Sequence, residues 1–599
     1  MNTDPHEFSS ADSRRPSASE SVFAGVYPWL SLVLALSLAL RLFGLRYGLP
    51  YVYNPDEVSI MSRALAFAKG DLNPHNFLYP TLYFYALFAW EGLTALLAVA
   101  TRSVGSFGAF QREFFVDPTR VFVAGRLLTA LLGTATVAAT FALARRLCGV
   151  RAGLIAALLL AVAPLHVLNS HYVKHDVPVT LLVVLAYLAY FRLWVNGEPG
   201  NVAADRRLPA EAGSSWRVVP AAVLTGLAFS THYYSIFLAL PLAWSAARGA
   251  ASTTEALKRI AIAAAVSAGV FFIGSPFVLA EPATAIRDLG ANRQIVVDRA
   301  VGQIGYWGSA LRYLQLLALD TVGWPTAIVA AIGIVGGLLR GTARTPWLLA
   351  FPVPFLLFIF STYPASRYLV PLTPFLAIFA AIALETAIRW TNARRAVMTV
   401  AAVCAIVAGV ESARTDAFIR QTDTRTLAHD FITAHVPAGS TVLLQPYSVV
   451  LEPTVASLRE AIARSGGETP TKTRLAMERD PYPSPAYRLI YIGRGLDADK
   501  LYLPQDRLAQ NPAGVLRAEH VAFVVLKRYN VEAPAMQPLT AALAPLVKEG
   551  RRLAVFSPYR RDAGTRPEPF LHNTDARITG ALERSGPIVE IWQVNGPGS

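Results

Sequence analysis

Long apolar runs separated by basic loops constrain this chain more than any other sequence feature. Only 16% of its residues are charged, against about a quarter in soluble domains. The pattern predicts a polytopic α-helical membrane protein of about eleven transmembrane helices, each able to cross about 30 Å of hydrocarbon. The runs lie near 26–45, 121–143, 150–167, 178–195, 217–231, 233–247, 260–279, 312–338, 346–361, 367–388 and 396–411.

The net charge of +14 comes from Arg and Lys residues between the apolar runs, not from one basic tract. This distribution is typical of the cytoplasmic loops of membrane proteins, so no nucleic-acid partner is predicted. Two cysteines are too few for a disulfide framework. The polar, Ser-rich residues 1–24 differ from a cleavable signal and predict a disordered cytoplasmic tail before an uncleaved first span.

The segment 80–101 decides the topology. It is apolar, but it contains Trp90 and Glu91. If it does not cross, the basic loops lie in the cytoplasm with the N-terminus, and if it crosses they lie outside. Because the positive-inside rule favours the first arrangement, we expect a juxtamembrane or re-entrant helix within a long external loop, 46–120.

The composition changes near residue 412, beyond the transmembrane module 25–411. Charged residues, Pro and Gly become frequent there, and no further span follows. Short β-type runs alternate with helical patterns, which predicts a soluble α/β domain over 412–599 on the extracytoplasmic side. The β-type runs are 441–444, 488–492, 521–526 and 588–594, and the helical patterns include 424–435 and 539–548.

Asp56 and Glu57 follow an Asn-Pro turn directly after the first apolar run. Two adjacent carboxylates are costly in hydrocarbon, which places them at the water interface. A carboxylate there can take a proton from a reacting hydroxyl, so both are candidate catalytic residues. The alternative is that Asn54 or Asp56 only caps a helix over 58–68.

A second candidate segment joins two spans and contains Lys174, His175 and Asp176. The two basic side chains suit a lipid phosphate, and Asp176 is a candidate catalytic residue that orients them or binds a metal. An ordinary loop with Asp176 and Pro178 starting the next helix is the alternative. His171 and His175 are spaced to share a metal on a helix, although no HExxH pattern accompanies them.

Two further segments end or begin spans on the same predicted face. His232 and Tyr233 interrupt an apolar run, and Arg367 and Tyr368 open another. An external guanidinium suits an anionic phosphate, so these four residues are candidate substrate-binding groups. An interfacial aromatic belt and a snorkelling arginine are the alternatives. We interpret the loop 281–311 as a mobile cover.

Several short motifs resemble those of one known family by their order and spacing. They are Pro-Asp-Glu and the following helix at 55–68, Tyr-Pro-Thr-Leu-Tyr at 79–83, Gly-Arg-Leu-Leu-Thr-Ala-Leu at 125–131, Ala-Arg-Arg-Leu at 144–147, Ala-Pro-Leu-His at 163–166 leading to Asp176, the run 367–374, and Asp-Thr-Arg at 423–425. The chain resembles the dolichyl-phosphate-mannose-protein mannosyltransferase-like family, which includes the aminoarabinose lipid A transferases, among the membrane-embedded (GT-C) glycosyltransferases. The resemblance covers most of 26–440.

This resemblance implies an inverting transfer of a sugar from a polyprenyl-phosphate donor to an acceptor on the outer face of the plasma membrane. Asp56 would be the catalytic base or an acceptor-binding group, Asp176 would be part of the site, and nearby basic groups would hold the phosphate. The family pattern has Lys where this chain has His232. The acceptor stays open between a protein, a lipid and a glycan, and no cofactor is implied apart from a possible divalent metal.

Two other functional classes remain. A transporter or flippase for a lipid-linked saccharide typically has charged or broken helices in mid-membrane and two similar halves. Here the ionisable residues cluster at one face and the halves do not match. A non-catalytic envelope-assembly protein would tolerate neutralisation of Asp56 and Asp176. No glycine-rich nucleotide loop is present, which disfavours a nucleotide-sugar donor.

Overall fold

The computed structural model describes residues 18–196, 215–248, 250–298, 300, 304–391, 393–466, 469–495, 497–528, 550–560 and 581–594. Helices account for most of the chain as far as residue 435. They are α1 Ala18–Leu42, α2 Pro55–Ala66, α3 Leu82–Ala100, α4 Phe107–Val116, α5 Thr119–Cys148, α6 Val150–Ala161, α7 Pro164–Asn169, α8 Asp176–Asn196, α9 Val219–Phe229, α10 Ala239–Ala247, α11 Thr253–Gly274, α12 Phe277–Ala280, α13 Pro282–Arg293, α14 Tyr306–Leu319, α15 Trp324–Leu339, α16 Arg344–Leu349, α17 Pro352–Ile359, α18 Thr373–Trp390, α19 Arg394–Ile419 and α20 Thr424–His435. Short 3₁₀ segments cover Phe67–Lys69, Ser215–Val218, Tyr233–Leu238 and Ser366–Leu372.

The polytopic helical membrane class is confirmed, but the number of spans is not. Within the described residues, six helices are long and apolar enough to cross a membrane, and a seventh candidate is the pair α14 and α15, bent by 106°. Several predicted spans are broken into shorter helices because Pro164, Pro352 and other prolines cannot continue an α-helix.

Helix α3 occupies the segment 80–101 that the sequence analysis singles out. Its 19 residues have the length and hydropathy of a span, although the sequence predicts a juxtamembrane or re-entrant segment there. Leu93, Leu96 and Leu97 are exposed on its outer side, as on a helix that faces lipid. The segment 46–120, which the sequence predicts to be one external loop, therefore contains a helix long and apolar enough to cross a membrane. We call residues 46–120 the first external loop, as a label only.

The membrane core is formed by α5, α6, α8 and α18, which bury alanines, leucines and valines against one another. A separate cluster around Met61, Phe84 and Phe122 lies beneath the segments of the first external loop. It packs α2 and α3 against the start of α5, so α2 has a fixed position.

The C-terminal α/β domain is confirmed as a six-stranded mixed sheet. Its strands are β1 Thr441–Leu444, β2 Arg488–Ile492, β3 Leu501–Leu503, β4 Phe523–Arg528, β5 Arg551–Phe556 and β6 Ile588–Gln593, in the order β3-β2-β1-β4-β6-β5. The first four are parallel, and β6 pairs antiparallel with both β4 and β5. The helices beside them are α21 Val455–Ser465, α22 Thr471–Met477, α23 Gln505–Gln510 and α24 Pro512–Ala518.

Individual boundaries differ from the expectations. Helix α19 extends through residue 412 to Ile419, and residues 18–24 are the first residues of α1. The expected helix over 539–548 lies outside the described residues, as do residues 1–17 of the predicted N-terminal tail. The segment 281–311, interpreted as a cover, contains α13, whose Asp288 accepts a hydrogen bond of 2.8 Å from the backbone of Phe77.

Candidate active site

Asp56 lies in the first turn of α2, where the local sequence fixes its position. Asn54 is the N-cap, and its Oδ1 accepts a hydrogen bond of 3.1 Å from the backbone N–H of Asp56. Pro55 occupies the first helical position, which tolerates the missing N–H. Since Asn54 caps the helix, the carboxylate of Asp56 is available for other contacts.

The structure brings three of the predicted residues into direct contact. Oδ2 of Asp56 lies 3.1 Å from Nζ of Lys174 and accepts a hydrogen bond of 3.2 Å from Nη1 of Arg367. The Asp56 side chain is 31% exposed, whereas those of Lys174 and Arg367 are 6% and 18% exposed. A partly exposed carboxylate is therefore held between two largely buried cations.

Asp176 and Tyr368 lie at the edge of this group. Asp176 is buried at the first residue of α8, close enough to Arg367, Lys174 and Asp56 to interact with their charges. The guanidinium of Arg367 lies 5.2 Å from the ring centre of Tyr368. Both predicted residues thus lie beside the ion pairs.

His175 is buried in a cage of aromatic rings. It stacks on Tyr79 with ring centres 4.4 Å apart and meets Tyr83 and Phe84 edge-on. Burial, with the nearby Arg63, lowers the pKa of His175 to about 3. The imidazole is therefore neutral at physiological pH, and it offers a hydrogen bond rather than a positive charge to a ligand.

His232 extends the same aromatic group, and Tyr233 lies behind it. The His232 ring stacks on Tyr234 at 3.7 Å and meets Tyr79 edge-on at 5.3 Å. Burial and the neighbouring His175 and Arg367 hold its pKa well below its ordinary value. The hydroxyl of Tyr233 donates to the carbonyl of Phe77 at 3.0 Å and so ties this loop to the first one.

Glu57, adjacent to Asp56, has a different environment. Its carboxylate accepts two hydrogen bonds from Arg126, at 2.9 and 2.8 Å, and one from the backbone of Val173 at 3.0 Å. Arg126 also donates to the carbonyls of Leu45 and Tyr47. Both charged side chains are almost completely buried. This pair joins α2, α5 and the loop that carries Lys174, and it faces away from solvent.

Arg63 belongs to the site but was not identified from the sequence. It is seven residues beyond Asp56 on α2 and therefore on the same helix face. It lies close enough to Tyr79, Asp288 and His175 to interact with them electrostatically. The seven-residue spacing from Asp56, next to a helix predicted over 58–68, could have indicated from the sequence that Arg63 lies near Asp56.

The described residues include no group of three or more His, Cys, Asp or Glu side chains that could hold a metal ion. Asp56 and Glu57 are each paired with cations instead. Both ring nitrogens of His171 lie 2.9 Å from carbonyl oxygens, and His175 points into the aromatic cage. This donor set does not fit a divalent metal.

Part of the chain matches the model of a known family. Residues 92–279 match the family model described as dolichyl-phosphate-mannose-protein mannosyltransferase. The family resemblance is confirmed. The matched region, less than half of the chain, contains Lys174, His175, Asp176, His232 and Tyr233. Asp56 and Arg367 lie outside it, and the structure connects them to it.

Solved structures of membrane glycosyltransferases are similar to this chain at low identity. ArnT from Cupriavidus metallidurans bound to undecaprenyl phosphate is 15% identical, with a TM-score of 0.47 over 96% of this chain and 98% of that chain. In its apo state ArnT gives 14% identity and a TM-score of 0.48, with coverages of 95% and 98%. The apo oligosaccharyltransferase of Archaeoglobus fulgidus is 13% identical to this chain, with a TM-score of 0.49 over 89% of this chain and 73% of that chain. No curated protein matches.

Proposed function

We propose that this chain is an integral-membrane glycosyltransferase that moves a sugar from a polyprenyl-phosphate donor to an acceptor hydroxyl outside the membrane, with inversion. The contact of the partly exposed Asp56 with Lys174 and Arg367 carries the proposal. It provides a base and two cations at one place. The mannosyltransferase family match supports the same reaction class.

In this reaction the acceptor oxygen bonds to the anomeric carbon while the bond from that carbon to the phosphate oxygen breaks. The hydroxyl proton passes to the carboxylate of Asp56, and the leaving phosphate gains one negative charge. Cations stabilise the transition state most where charge develops. Lys174 and Arg367 are the groups for that task, and Asp56 is the group for proton removal.

The charges near Asp56 match a phosphodiester. Lys174, Arg367 and Arg63 supply three positive charges, which exceed the negative charge that Asp56 and the buried Asp176 can supply, since Glu57 is already neutralised by Arg126. A donor phosphate beside Lys174 and Arg367 would share their donors with Asp56. This sharing would weaken the hold of the cations on the carboxylate and make it a better base.

An apolar groove supports a lipid-linked donor. It has a volume of about 400 Å³ between α9, α10 and α11, and its lining includes Phe229, Ser235 and Phe271. Phe229 and Ser235 flank the loop that carries His232. A polyprenyl chain in this groove would therefore have its phosphate end near the aromatic cage.

The test is sugar transfer by the full-length protein in membranes, with a radiolabelled polyprenyl-phosphate hexose as donor. Asp56→Asn should lower kcat at least about a hundredfold, the usual contribution of a general base. Ala68→Ser, an exposed change in the 3₁₀ turn that follows α2, is the control and should retain activity.

Equal transfer by Asp56→Asn and the wild type would exclude Asp56 as the base. A transporter would instead move the labelled lipid across vesicle bilayers without forming a new glycosidic bond. A non-catalytic assembly protein would do neither, and Asp56→Asn would retain its cellular function.

A further inference from the structure

A large cleft separates the first external loop from the C-terminal domain. Its volume is about 880 Å³. One wall contains Tyr51, Val58 and Phe115 of the loop, and the other contains Tyr447 and Tyr491 of the domain. We call it the interdomain cleft. The contact of Asp56 with Lys174 and Arg367 does not involve it.

The floor of the cleft lies at the carboxyl ends of β1 and β2, where α/β domains commonly bind ligands. Pro446 and Tyr447 follow the end of β1, and Ile492 and Arg494 lie at and just after the end of β2. Ligands of open α/β sheets bind outside the carboxyl ends of parallel strands. Here the sheet directs that edge towards the first external loop.

Tyr447 carries the clearest sign of a built site. Its backbone φ is 63°, in the left-handed region that is unfavourable for a bulky residue. Nevertheless, its ring is 64% exposed, with Nζ of Lys527 5.1 Å from the ring centre. Burial of the aromatic ring therefore does not compensate the strained backbone of Tyr447. Strained residues without a packing role often contact a ligand, which points to a ligand here.

The charged groups around the cleft are paired with one another. Glu452 contacts Arg479 at 3.0 Å, Asp497 contacts Lys500 at 2.7 Å, Lys472 lies 3.8 Å from Asp499, and Arg494 lies 3.3 Å from Asp506. These four acids and four bases balance, and with Lys527 beside Tyr447 the cleft has little net charge, so it attracts an anionic or a cationic polymer only weakly. The same groups offer many hydrogen-bond donors and acceptors to hydroxyls.

Aromatic rings beside balanced polar groups suit a neutral saccharide, whose rings have apolar C–H faces and polar hydroxyl edges. An extended peptide suits the cleft less well. Strands β1 and β2 are interior strands of the sheet, so their backbones offer no free edge for strand addition.

We propose that the interdomain cleft binds the distal units of a neutral saccharide acceptor. This inference rests on the proposed glycosyl transfer. Val58 and Ser62 line the cleft, whereas Asp56 and Arg63 lie on another face of α2, about 130° away around the helix axis. The reacting hydroxyl therefore lies beyond the cleft, past the N-terminal end of α2, and the cleft sets which acceptor chains are held.

Binding is measured first, because it requires no transfer. Full-length protein in nanodiscs is titrated by calorimetry with neutral hexasaccharides of mannose, glucose and galactose, and with an uncharged Ser/Thr-rich peptide. At least one hexasaccharide should bind, and Tyr447→Gly should weaken binding about tenfold, as expected for the loss of one ring contact. Asp56→Asn should bind as the wild type does.

The matched control is His520→Gly. His520 is also an exposed residue of the C-terminal domain with a positive φ, 51°, and it is not part of the cleft. Glycine relieves the strained backbone at either position, so neither change should lower the unfolding temperature. Only Tyr447→Gly should lose the saccharide.

Transfer is measured second, with acceptors of increasing length. Tyr447→Gly should raise KM for long acceptors and leave kcat unchanged, while Asp56→Asn should lower kcat. The proposal is overturned if no hexasaccharide binds, if only the peptide binds, or if Tyr447→Gly and His520→Gly bind equally. Saccharide binding without any transfer would overturn the proposed reaction but retain the binding site.

Discussion

Adjacent carboxylates acquire opposite properties from their surroundings. Asp56 is 31% exposed and contacts Lys174 and Arg367 at a position that a ligand can reach. Glu57 is completely buried against Arg126. A buried ion pair is costly to break because the remaining charge is left unpaired in an apolar environment. We therefore infer that Glu57 positions the loop of Lys174 and that chemistry depends on Asp56.

Glu57→Gln should accordingly lower the free energy of unfolding by about 3–5 kcal/mol, the usual loss when one partner of a buried pair is removed. Thermal unfolding in detergent measures the loss. Asp56→Asn is the comparison, because Asp56 is partly exposed, so water and the new amide can still solvate Lys174 and Arg367. It should cost less than Glu57→Gln does. Comparable losses for the two variants would contradict separate roles.

Arg63 provides a second comparison at this scale. Arg63→Gln removes a cation from the face that carries Asp56, so the donor should bind more weakly while the base is retained. The donor KM should rise about tenfold, the effect of one charge-assisted hydrogen bond, with kcat within about twofold. Steady-state transfer kinetics at several donor concentrations would show the split, and a pure kcat effect would assign Arg63 to another step.

The sequence indicated candidate site residues but not which of them contact one another. Asp56, Lys174 and Arg367 were recognisable because ionisable residues beside apolar runs are costly without a partner or a function. Their contact joins positions up to 311 residues apart, which no local pattern specifies. Arg126 was a missed signal, since an arginine within an apolar run is costly without a partner, and Glu57 was available.

Elements were predictable to different degrees for physical reasons. Strands β1 and β2 match the expected bounds because short β-branched runs between turns have few alternatives. The bounds of the apolar helices were harder to predict, since hydropathy depends on composition and does not show where a helix is interrupted. Helices α14 and α15 form one apolar run in sequence, yet they meet at 106°.

Helix contacts in the membrane depend on individual glycines, and α15 supplies a paired test. A Cβ at Gly333 would collide with the carbonyl of Phe379 in α18, whereas one at Gly336 meets nothing within 4 Å. Gly333→Ala should cost about 1–3 kcal/mol through overpacking. Gly336→Ala should be neutral or stabilise by up to about 1 kcal/mol. Unfolding in detergent compares the two, and equal stabilities would refute this packing.

At the scale of the whole molecule, separate elements are held around the site by surface contacts as well as by the core. His75 in the first external loop lies 2.9 Å from Asp71 and 2.6 Å from Glu281, which precedes α13. Its hydrogen bonds to Asp71 and Glu281 raise the pKa of His75 above its ordinary 6.5. This cluster adds to the hydrogen bond that Asp288 accepts from the backbone of Phe77.

The pKa values of Asp71 and Glu281 shift downwards, opposite to that of His75. Hydrogen bonds from Asn73 and His75 lower the pKa of Asp71. Desolvation opposes the change at Glu281, but hydrogen bonds from Asn73 and His75 outweigh it and lower its pKa below the ordinary 4.5. The stabilisation from these acids is lost as the pH falls through their lowered values. That from His75 is complete below pH 6.5 and is lost as the pH rises through its raised value.

The attachment of α13 to the first external loop should therefore be strongest between about pH 4.5 and 6.5. Hydrogen exchange in Pro282–Arg293, corrected for intrinsic rates, should be slower at pH 6 than at pH 8.5. His75→Gln keeps hydrogen-bonding capacity but cannot titrate, so it should abolish the difference. High salt should reduce the difference in the wild type, because these groups are exposed and screened. If the His75→Gln variant retained the full pH dependence, the change would have to come from another group.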